Sequence, residues 1–179
     1  MIHGDLKPQN VLIFNKPALH AKVADFSHSL LDTGETGNLV GGTWVYSAPE
    51  WKKSVPTVEL LKTDIYSYGL VFGGLILGSE LVSNVQQHPP FDLQVSTEEA
   101  IQKLKEGDHM KEYLFRLVHN TDQENPDSDL DEFPLIYKVF ENTVQLDPKT
   151  RNLDGVLGLL GDRWVHYRFH LLLLRFNVR

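Results

Sequence analysis

HGDLKPQN, residues 3–10, runs directly into the apolar segment 11–14. The stretch places a carboxylate (Asp5), an ammonium group (Lys7) and an amide (Asn10) close together. Groups of this kind, close together ahead of an apolar strand, are typical of a catalytic loop, because each can transfer a proton or bind a charged group. The stretch therefore predicts both a strand and a reactive loop that leads into it.

A second strand is expected to pair with the first. Residues 15–17 (Asn-Lys-Pro) form a turn signal, and 21–24 is a second short apolar run, so 11–24 predicts a two-stranded antiparallel ribbon. Asn10 precedes the first strand and Asp25 follows the second. One turn brings these two ends to the same edge, with the acid of the opening loop nearby. Amide and carboxylate oxygens suit a hard cation such as magnesium, which substrate phosphates would help to coordinate.

Composition narrows the class of protein. The chain has 179 residues, of which 41% are hydrophobic and 23% charged, and this composition is that of a globular domain. A net charge of −7 argues against a nucleic-acid partner, and the lack of cysteine excludes disulfides and thiolate metal sites. No targeting segment is visible, and the apolar runs 69–78 and 171–174 are too short to span a bilayer. We expect a soluble, cytoplasmic protein, with the nucleus left open.

The rest of the chain is mainly helical in pattern. Residues 25–50 contain four glycines without periodicity and predict a long, shaped loop. The acid-rich segment 122–132 predicts a solvated loop. A ribbon followed by helices gives an α+β fold that is mainly α. Helical periodicity and end signals predict helices over 61–79, which is apolar all round, and over 96–107, 134–145 and 153–160.

Six short motifs in order resemble the eukaryotic protein kinase catalytic domain of the Ser/Thr type. HGDLKPQN is similar to its catalytic loop, usually H-R-D-L-K-P-x-N, and DFS at 25–27 to its metal-binding D-F-G. The others are GTWVYSAPE at 42–50, DIYSYG at 64–69, PPF at 89–91 and LDPKTR at 146–151. The resemblance implies that 1–161 is the larger, C-terminal lobe of a kinase domain, followed by a tail at 162–179.

The resemblance also implies roles for individual residues. Asp5 would accept the hydroxyl proton of a protein substrate, and Lys7 would stabilise the γ-phosphate of ATP during its transfer. Thr43 would position both, and the pair Lys7 and Thr43 favours Ser/Thr over Tyr substrates. Asn10 and Asp25 would hold Mg²⁺, so the implied cofactors are ATP and Mg²⁺ and the implied partner is a protein substrate.

Five further matched residues are expected to be structural. Glu50 and Arg151 would form a buried ion pair, which is costly to break from one side. Asp64 would accept hydrogen bonds from the backbone of the catalytic loop. His3 and Phe26 would pack and orient their neighbours rather than react.

Two residues depart from the family pattern. Gly4 stands where most members have an arginine that pairs with a phosphate on the activation segment. Phosphorylation of Thr33 or Thr36 is therefore not expected to switch activity, and a large rate change on stoichiometric phosphorylation would contradict this. Ser27 replaces a glycine, which predicts that Asp25 changes conformation less freely.

A third departure is larger. The Gly-rich loop and the V-A-I-K-type lysine normally precede the catalytic loop, and only two residues precede His3. We expect the isolated chain to be a truncated kinase domain with weak or no activity, able to associate through the face that the missing lobe would cover. Two alternatives remain open: a non-catalytic, pseudokinase-like binding module, and an aminoglycoside- or choline-type phosphotransferase, whose H-G-D motif Gly4 fits better.

Overall fold

The computed structural model describes residues 1–17, 20–90, 95–124 and 133–158, although not the side chains of 121–124 and 133. The predictions for the tail at 162–179 and for the end of the PPF motif lie outside the described residues. The elements follow in the order β1 (Val11–Phe14), β2 (His20–Val23), β3 (Thr36–Gly37), β4 (Val55–Pro56), α1 (Thr57–Leu60), α2 (Thr63–Leu77), α3 (Leu81–Gln87), α4 (Thr97–Glu106), α5 (Met110–Glu124) and α6 (Phe133–Thr143).

The fold is mainly helical with two small antiparallel sheets, and the predicted α+β class is confirmed. Short 3-10 turns cover Pro8–Asn10 and Pro148–Thr150, and residues 153–158 are helical. The large hydrophobic core gathers side chains from α2 to α6 and from the segment before α1. A smaller core, built on Ile2, Leu39 and Leu60, lies beneath the opening loop.

The ribbon forms as predicted, with β2 shifted by one residue toward the N-terminus. Val11 pairs with Val23 and Phe14 with His20. The Ala24 amide then donates to the Asn10 carbonyl at 2.9 Å and extends the pairing past the strands. The open end of the ribbon therefore brings residue 10 beside residue 24, which is the geometry that the candidate metal site requires.

A second sheet, which was not predicted, has its first strand within the long, shaped loop expected over 25–50. Thr36–Gly37 pairs with Val55–Pro56, and the Thr57 amide donates to the Glu35 carbonyl at 2.8 Å. The Thr57 hydroxyl also donates to Asp32 Oδ1 at 2.5 Å. Two-residue strands are too short to show a period-2 pattern, so sequence periodicity could not identify them. The sheet anchors the middle of the glycine-containing segment.

α2 is the central helix, as predicted. Ile65, Tyr66, Leu70 and Phe72 are among its buried side chains, and the helix ends at Gly78, whose φ is +68°. By length and composition the segment Thr57–Leu77 could cross a membrane, but 61% of its most apolar 18-residue window is buried inside the protein. A core helix passes the same test, and this burial is what the sequence predicted for a helix that is apolar all round.

The remaining helices match the predictions in part. Ser96 caps α4 by accepting a hydrogen bond from the Glu99 amide at 3.2 Å, as its position predicted. α6 begins and ends within two residues of the predicted bounds. α3 and α5 were not predicted. Residues 122–124 lie in α5, so the prediction of a loop there is wrong, and 125–132 lie outside the described residues.

Candidate functional site

The opening loop is attached to the N-terminal end of α2. Asp64 in the first turn of that helix accepts the backbone N–H of His3 at 2.6 Å and that of Gly4 at 3.0 Å. An isolated bridge between Ile2 and Leu30 holds the loop on its other side. The backbone of the loop is therefore fixed by a carboxylate of the core helix, and the side chains that follow it have defined positions.

Asp5, Lys7 and Thr43 form one hydrogen-bonded cluster. Lys7 Nζ lies 2.7 Å from Asp5 Oδ2 and 2.9 Å from Thr43 Oγ1, while the Thr43 amide donates to Asp5 Oδ1 at 2.7 Å. Asp5 is buried. Burial raises the pKa of its carboxyl, and the hydrogen bonds from Lys7 and Thr43 outweigh that effect, so the pKa lies below the ordinary value. Asp5 is ionised at neutral pH and able to accept a hydrogen bond from a hydroxyl.

Asn10 belongs to the same cluster. Its side-chain nitrogen donates to the Asp5 carbonyl at 2.8 Å and to Asp5 Oδ2 at 3.3 Å. The 3-10 turn Pro8–Asn10 sets this position, because it closes with a bond from the Asn10 amide to the Lys7 carbonyl at 3.0 Å. With its nitrogen used in this way, the amide offers its oxygen as a ligand atom.

Asp25 lies at the same edge, immediately after the ribbon. Its backbone is in the left-handed region, with φ at +64°. Its carboxylate accepts the Ser27 hydroxyl at 2.6 Å and the Ser27 amide at 3.3 Å. These two bonds lower the pKa of Asp25, and the charge of Asp5 acts in the opposite direction. Ser27, which replaces the usual glycine, therefore holds the exposed Asp25 carboxylate against its own turn.

The donor set suits a hard cation only if a substrate supplies further ligands. Asn10 and Asp25 offer amide and carboxylate oxygens, which magnesium prefers. Within the described part of the chain, no group of three or more histidine and acidic side chains forms a potential metal site. The residues present fit an ion that is shared with phosphate oxygens, rather than one that protein side chains enclose.

His3 connects the loop to the turn at Asp25. Its Nε2 lies 2.9 Å from the Ala24 carbonyl oxygen, and its Nδ1 accepts the Asp5 amide at 3.3 Å. The Phe26 ring lies edge-on to the imidazole, with ring centroids 5.0 Å apart. Both ring nitrogens of His3 are thus used in backbone contacts. The ring orients the loop and leaves no nitrogen for proton transfer.

Glu50 and Arg151, which are 101 residues apart in the sequence, form an ion pair. Arg151 Nη2 donates to Glu50 Oε2 at 2.9 Å, and Nη1 donates to Glu50 Oε1. Both side chains are buried. The guanidinium also lies over the Tyr66 ring, 4.9 Å from its centroid. The pair joins the segment before α1 to the turn after α6.

Gly4 brings the opening loop into backbone contact with two other segments. Its φ is +80°, and a Cβ there would lie 2.7 Å from the His28 carbonyl oxygen. A Cβ at Gly42, where φ is +108°, would lie 2.5 Å from the Gly4 carbonyl oxygen. Glycine is therefore required at position 4 by conformation and by space, so the usual arginine could not be accommodated without a shift of the backbone.

We expect Gly4→Ala to lower the free energy of unfolding by about 2–3 kcal/mol, because left-handed strain adds to a backbone clash. Gly34→Ala is the matched control. Gly34 has φ at +77° with nothing near its Cβ position, so only the strain of about 1 kcal/mol applies. Urea denaturation of both variants measures the difference. Equal losses would show that the close approach at Gly4 is not tight.

Sequence reasoning missed Lys105. It lies on α4, is 5% exposed, and donates to backbone carbonyls of the segment that follows Thr43. One signal was available: Ile101, Leu104 and Lys105 stand at the spacing of a single buried helix face, which makes a lysine there unusual.

The comparisons with known proteins agree with the geometry. The family model for the protein kinase domain matches residues 1–152. The chain is 36% identical over 99 residues to the G-type lectin S-receptor-like serine/threonine-protein kinase At1g34300 of Arabidopsis thaliana, covering 52% of this chain and 12% of that protein. It is 36% identical over 85 residues to human receptor-interacting serine/threonine-protein kinase 3, covering 45% and 16%.

A third relative is the leucine-rich repeat receptor-like protein kinase TDR of Arabidopsis thaliana, 37% identical over 83 residues, or 46% of this chain and 8% of that protein. The aligned stretches thus span at most 16% of the length of these three relatives. The family match covers most of the chain, including the opening loop, the Asp5 cluster and the Glu50–Arg151 pair. This chain belongs to the protein kinase domain family.

Proposed function

We propose that this chain is the larger, C-terminal lobe of a protein serine/threonine kinase domain, and that its Asp5 edge transfers the γ-phosphate of ATP to Ser/Thr hydroxyls. One observation carries the proposal. The ionised Asp5 carboxylate and the Lys7 ammonium lie 2.7 Å apart, and Thr43 contacts both. A base for a hydroxyl and a cation for a phosphoryl group are the two charges that this reaction needs side by side.

The proposed reaction assigns one step to each residue. The substrate hydroxyl donates a hydrogen bond to Asp5, and its oxygen attacks the γ-phosphorus as the bond to the β-phosphate oxygen breaks. Asp5 takes the proton, and ADP leaves with the bonding electrons. Lys7 stabilises the negative charge on the transferring group, and Thr43 fixes the distance between Asp5 and Lys7. A magnesium ion held by Asn10 and Asp25 would supply further positive charge at the phosphates.

Ser/Thr specificity is supported by two observations. Lys7 and Thr43 are in contact at 2.9 Å, an arrangement that the family resemblance associates with Ser/Thr kinases. Two of the relatives above carry serine/threonine-protein kinase in their names. Protein substrates follow from membership in the protein kinase family, whose members use ATP and magnesium.

The assignment to the larger lobe is supported by what the 179 residues contain and by their surface. They include neither a Gly-rich loop of the G-x-G-x-x-G type nor a V-A-I-K-type lysine. Leu12 and Phe14, which lie on the same face of the ribbon, are 46% and 41% exposed. Apolar side chains gathered in this way fit a surface that another body covers. Acting alone, these residues would hold ATP from one side and transfer phosphate slowly.

Calorimetry with ATP tests the proposal. We expect magnesium-dependent binding that is weak, on the order of a millimolar dissociation constant, because protein contacts are limited to one side. Asp25→Asn should weaken it at least tenfold, since the variant removes the charged ligand of the metal. Asp154→Asn, the same exchange at an exposed site, is the control. If wild type shows no magnesium-dependent binding, a non-catalytic binding module replaces this proposal.

A further inference from the structure

Lys105 is a buried lysine with unusual partners. Its Nζ lies 2.6 Å from the Trp44 carbonyl oxygen and 2.7 Å from the Ser47 carbonyl oxygen. Among the described ion pairs none includes Lys105, so its acceptors there are neutral carbonyls. Burial lowers the pKa of Lys105 to about 7, and the charge of Glu50 partly opposes this. Burying the ammonium group of a lysine lowers the stability of the fold. Its presence here would be explained if the two carbonyls need its N–H donors.

The two carbonyls belong to the compact turn that begins at Thr43. The amides of Tyr46 and Ser47 donate to the Thr43 carbonyl at 3.0 and 3.2 Å, and the Ser47 hydroxyl donates to the same oxygen at 2.9 Å. Lys105 binds two further carbonyls of this turn, those of Trp44 and Ser47. The Ser47 amide also lies 3.3 Å from the Trp44 carbonyl. Most of the described hydrogen bonds that hold the turn therefore involve either Thr43 or Lys105.

The turn leads directly to the reacting groups. Thr43 donates its amide to Asp5 and accepts a hydrogen bond from Lys7. α4 is thus connected, through Lys105 and the turn, to the pair that is proposed to move the proton and bind the phosphoryl group. No other described polar contact joins α4 to this turn.

We propose that Lys105 is a positioning residue: by binding the Trp44 and Ser47 carbonyls it holds the turn so that Thr43 keeps Asp5 and Lys7 aligned. This role in catalysis rests on the proposed function, because the alignment of Asp5 and Lys7 affects a rate only if these residues transfer phosphate. Lys105 does not touch substrate, because it is buried beneath the turn. Its expected effect is on the rate of transfer rather than on the binding of ATP.

Amide hydrogen exchange tests the positioning without requiring catalysis. We expect Lys105→Met to raise the exchange rates of the Thr43, Tyr46 and Ser47 amides at least tenfold, because the turn loses two of its bonds. Amides of the β1–β2 ribbon should change less than twofold. Lys103→Met is the matched control, since Lys103 lies on the same helix, is half-exposed and pairs with Glu99. It should change neither region.

A second variant keeps the test informative if Lys105→Met folds poorly. Lys105→Gln retains two N–H donors and should restore part of the protection at Tyr46 and Ser47. Uniform acceleration across ribbon and turn in both variants would show a merely structural role and overturn the proposal. Unchanged exchange in the turn would overturn it as well.

The pH dependence of stability provides an independent readout. The folded pKa of Lys105, about 7, lies below the ordinary value of 10.5, so the unfolded chain binds more protons between these values. The contribution of Lys105 to the free energy of unfolding should therefore rise with pH across that window. Lys105→Met should lack this rise relative to wild type. Identical pH profiles would mean that the lysine is not buried as described.

Peptide phosphorylation separates this proposal from the proposed function. In a wild-type chain with measurable transfer, Lys105→Met should lower kcat at least fivefold and leave the dissociation constant of magnesium-ATP within twofold. An unchanged kcat would contradict the positioning role. If wild type binds no ATP, the proposed function fails, whereas the exchange experiment still decides whether Lys105 fixes the turn.

Discussion

We expect Arg151→Met to lower the free energy of unfolding by about 3–5 kcal/mol, because it leaves the buried Glu50 carboxylate without its counter-charge. All five N–H donors of Arg151 have acceptors. Two reach the Glu50 carboxylate, Nε donates to Gln145 at 2.9 Å, and the others donate to Lys62 and Leu146 at 3.2 Å. Four backbone or carboxylate partners therefore lose a donor together, at a buried site.

A double-mutant cycle isolates the ion pair from the carbonyl contacts. Glu50→Gln alone should also destabilise, because it leaves the Arg151 charge uncompensated. Glu50→Gln combined with Arg151→Met should cost less than the sum of the two single losses, since no lone charge then remains. Lys149→Met, two residues away and exposed, is the control for loss of a cation. Strict additivity in chemical denaturation would show that the two side chains do not stabilise each other.

The fold was predictable where one element carries its own signal. The ribbon followed from two apolar runs around Asn-Lys-Pro, and α4 from its Ser96 cap and terminal Gly107. α2 followed from an apolar character that leaves no polar face. β3 and β4 carry no such signal, because two residues cannot alternate. α5 extends into the acid-rich run, since Asp122, Gln123 and Glu124 tolerate a helix that packing has already started.

The site was predictable where its residues lie close together in the sequence, and not where distant segments meet. The ribbon register alone brings Asn10 beside the residue before Asp25. The contact of Thr43 with Asp5 spans 38 residues of sequence separation and came only from the resemblance to kinases. Lys105 could not be assigned a role, because its acceptors are backbone carbonyls of distant residues. Carbonyls are present at every position, so sequence does not mark which of them a buried donor will reach.

Asp5→Asn is expected to lower activity more than Lys105→Met does. We expect it to reduce the rate of peptide phosphorylation by the chain about 10²–10⁴-fold, because an amide cannot take the proton of the substrate hydroxyl. The rate can be measured as the transfer of radioactive phosphate from ATP to a peptide. Saturating magnesium-ATP should be used, so that weak ATP binding does not limit the comparison. Asp154→Asn, the same chemical change at an exposed position, should leave the rate unaltered.

Asp5→Asn should affect the stability of the fold much less than it affects the rate of phosphate transfer. Asparagine can still accept the Thr43 amide through its side-chain oxygen, so the bond that measures 2.7 Å in wild type has a replacement. Lys7 loses a counter-charge but keeps the Thr43 hydroxyl as a partner. Magnesium-ATP binding should therefore persist in the variant while transfer is lost. A variant that transfers phosphate at the wild-type rate would show that Asp5 is not the base, since no other carboxylate in the described hydrogen-bond cluster could replace it.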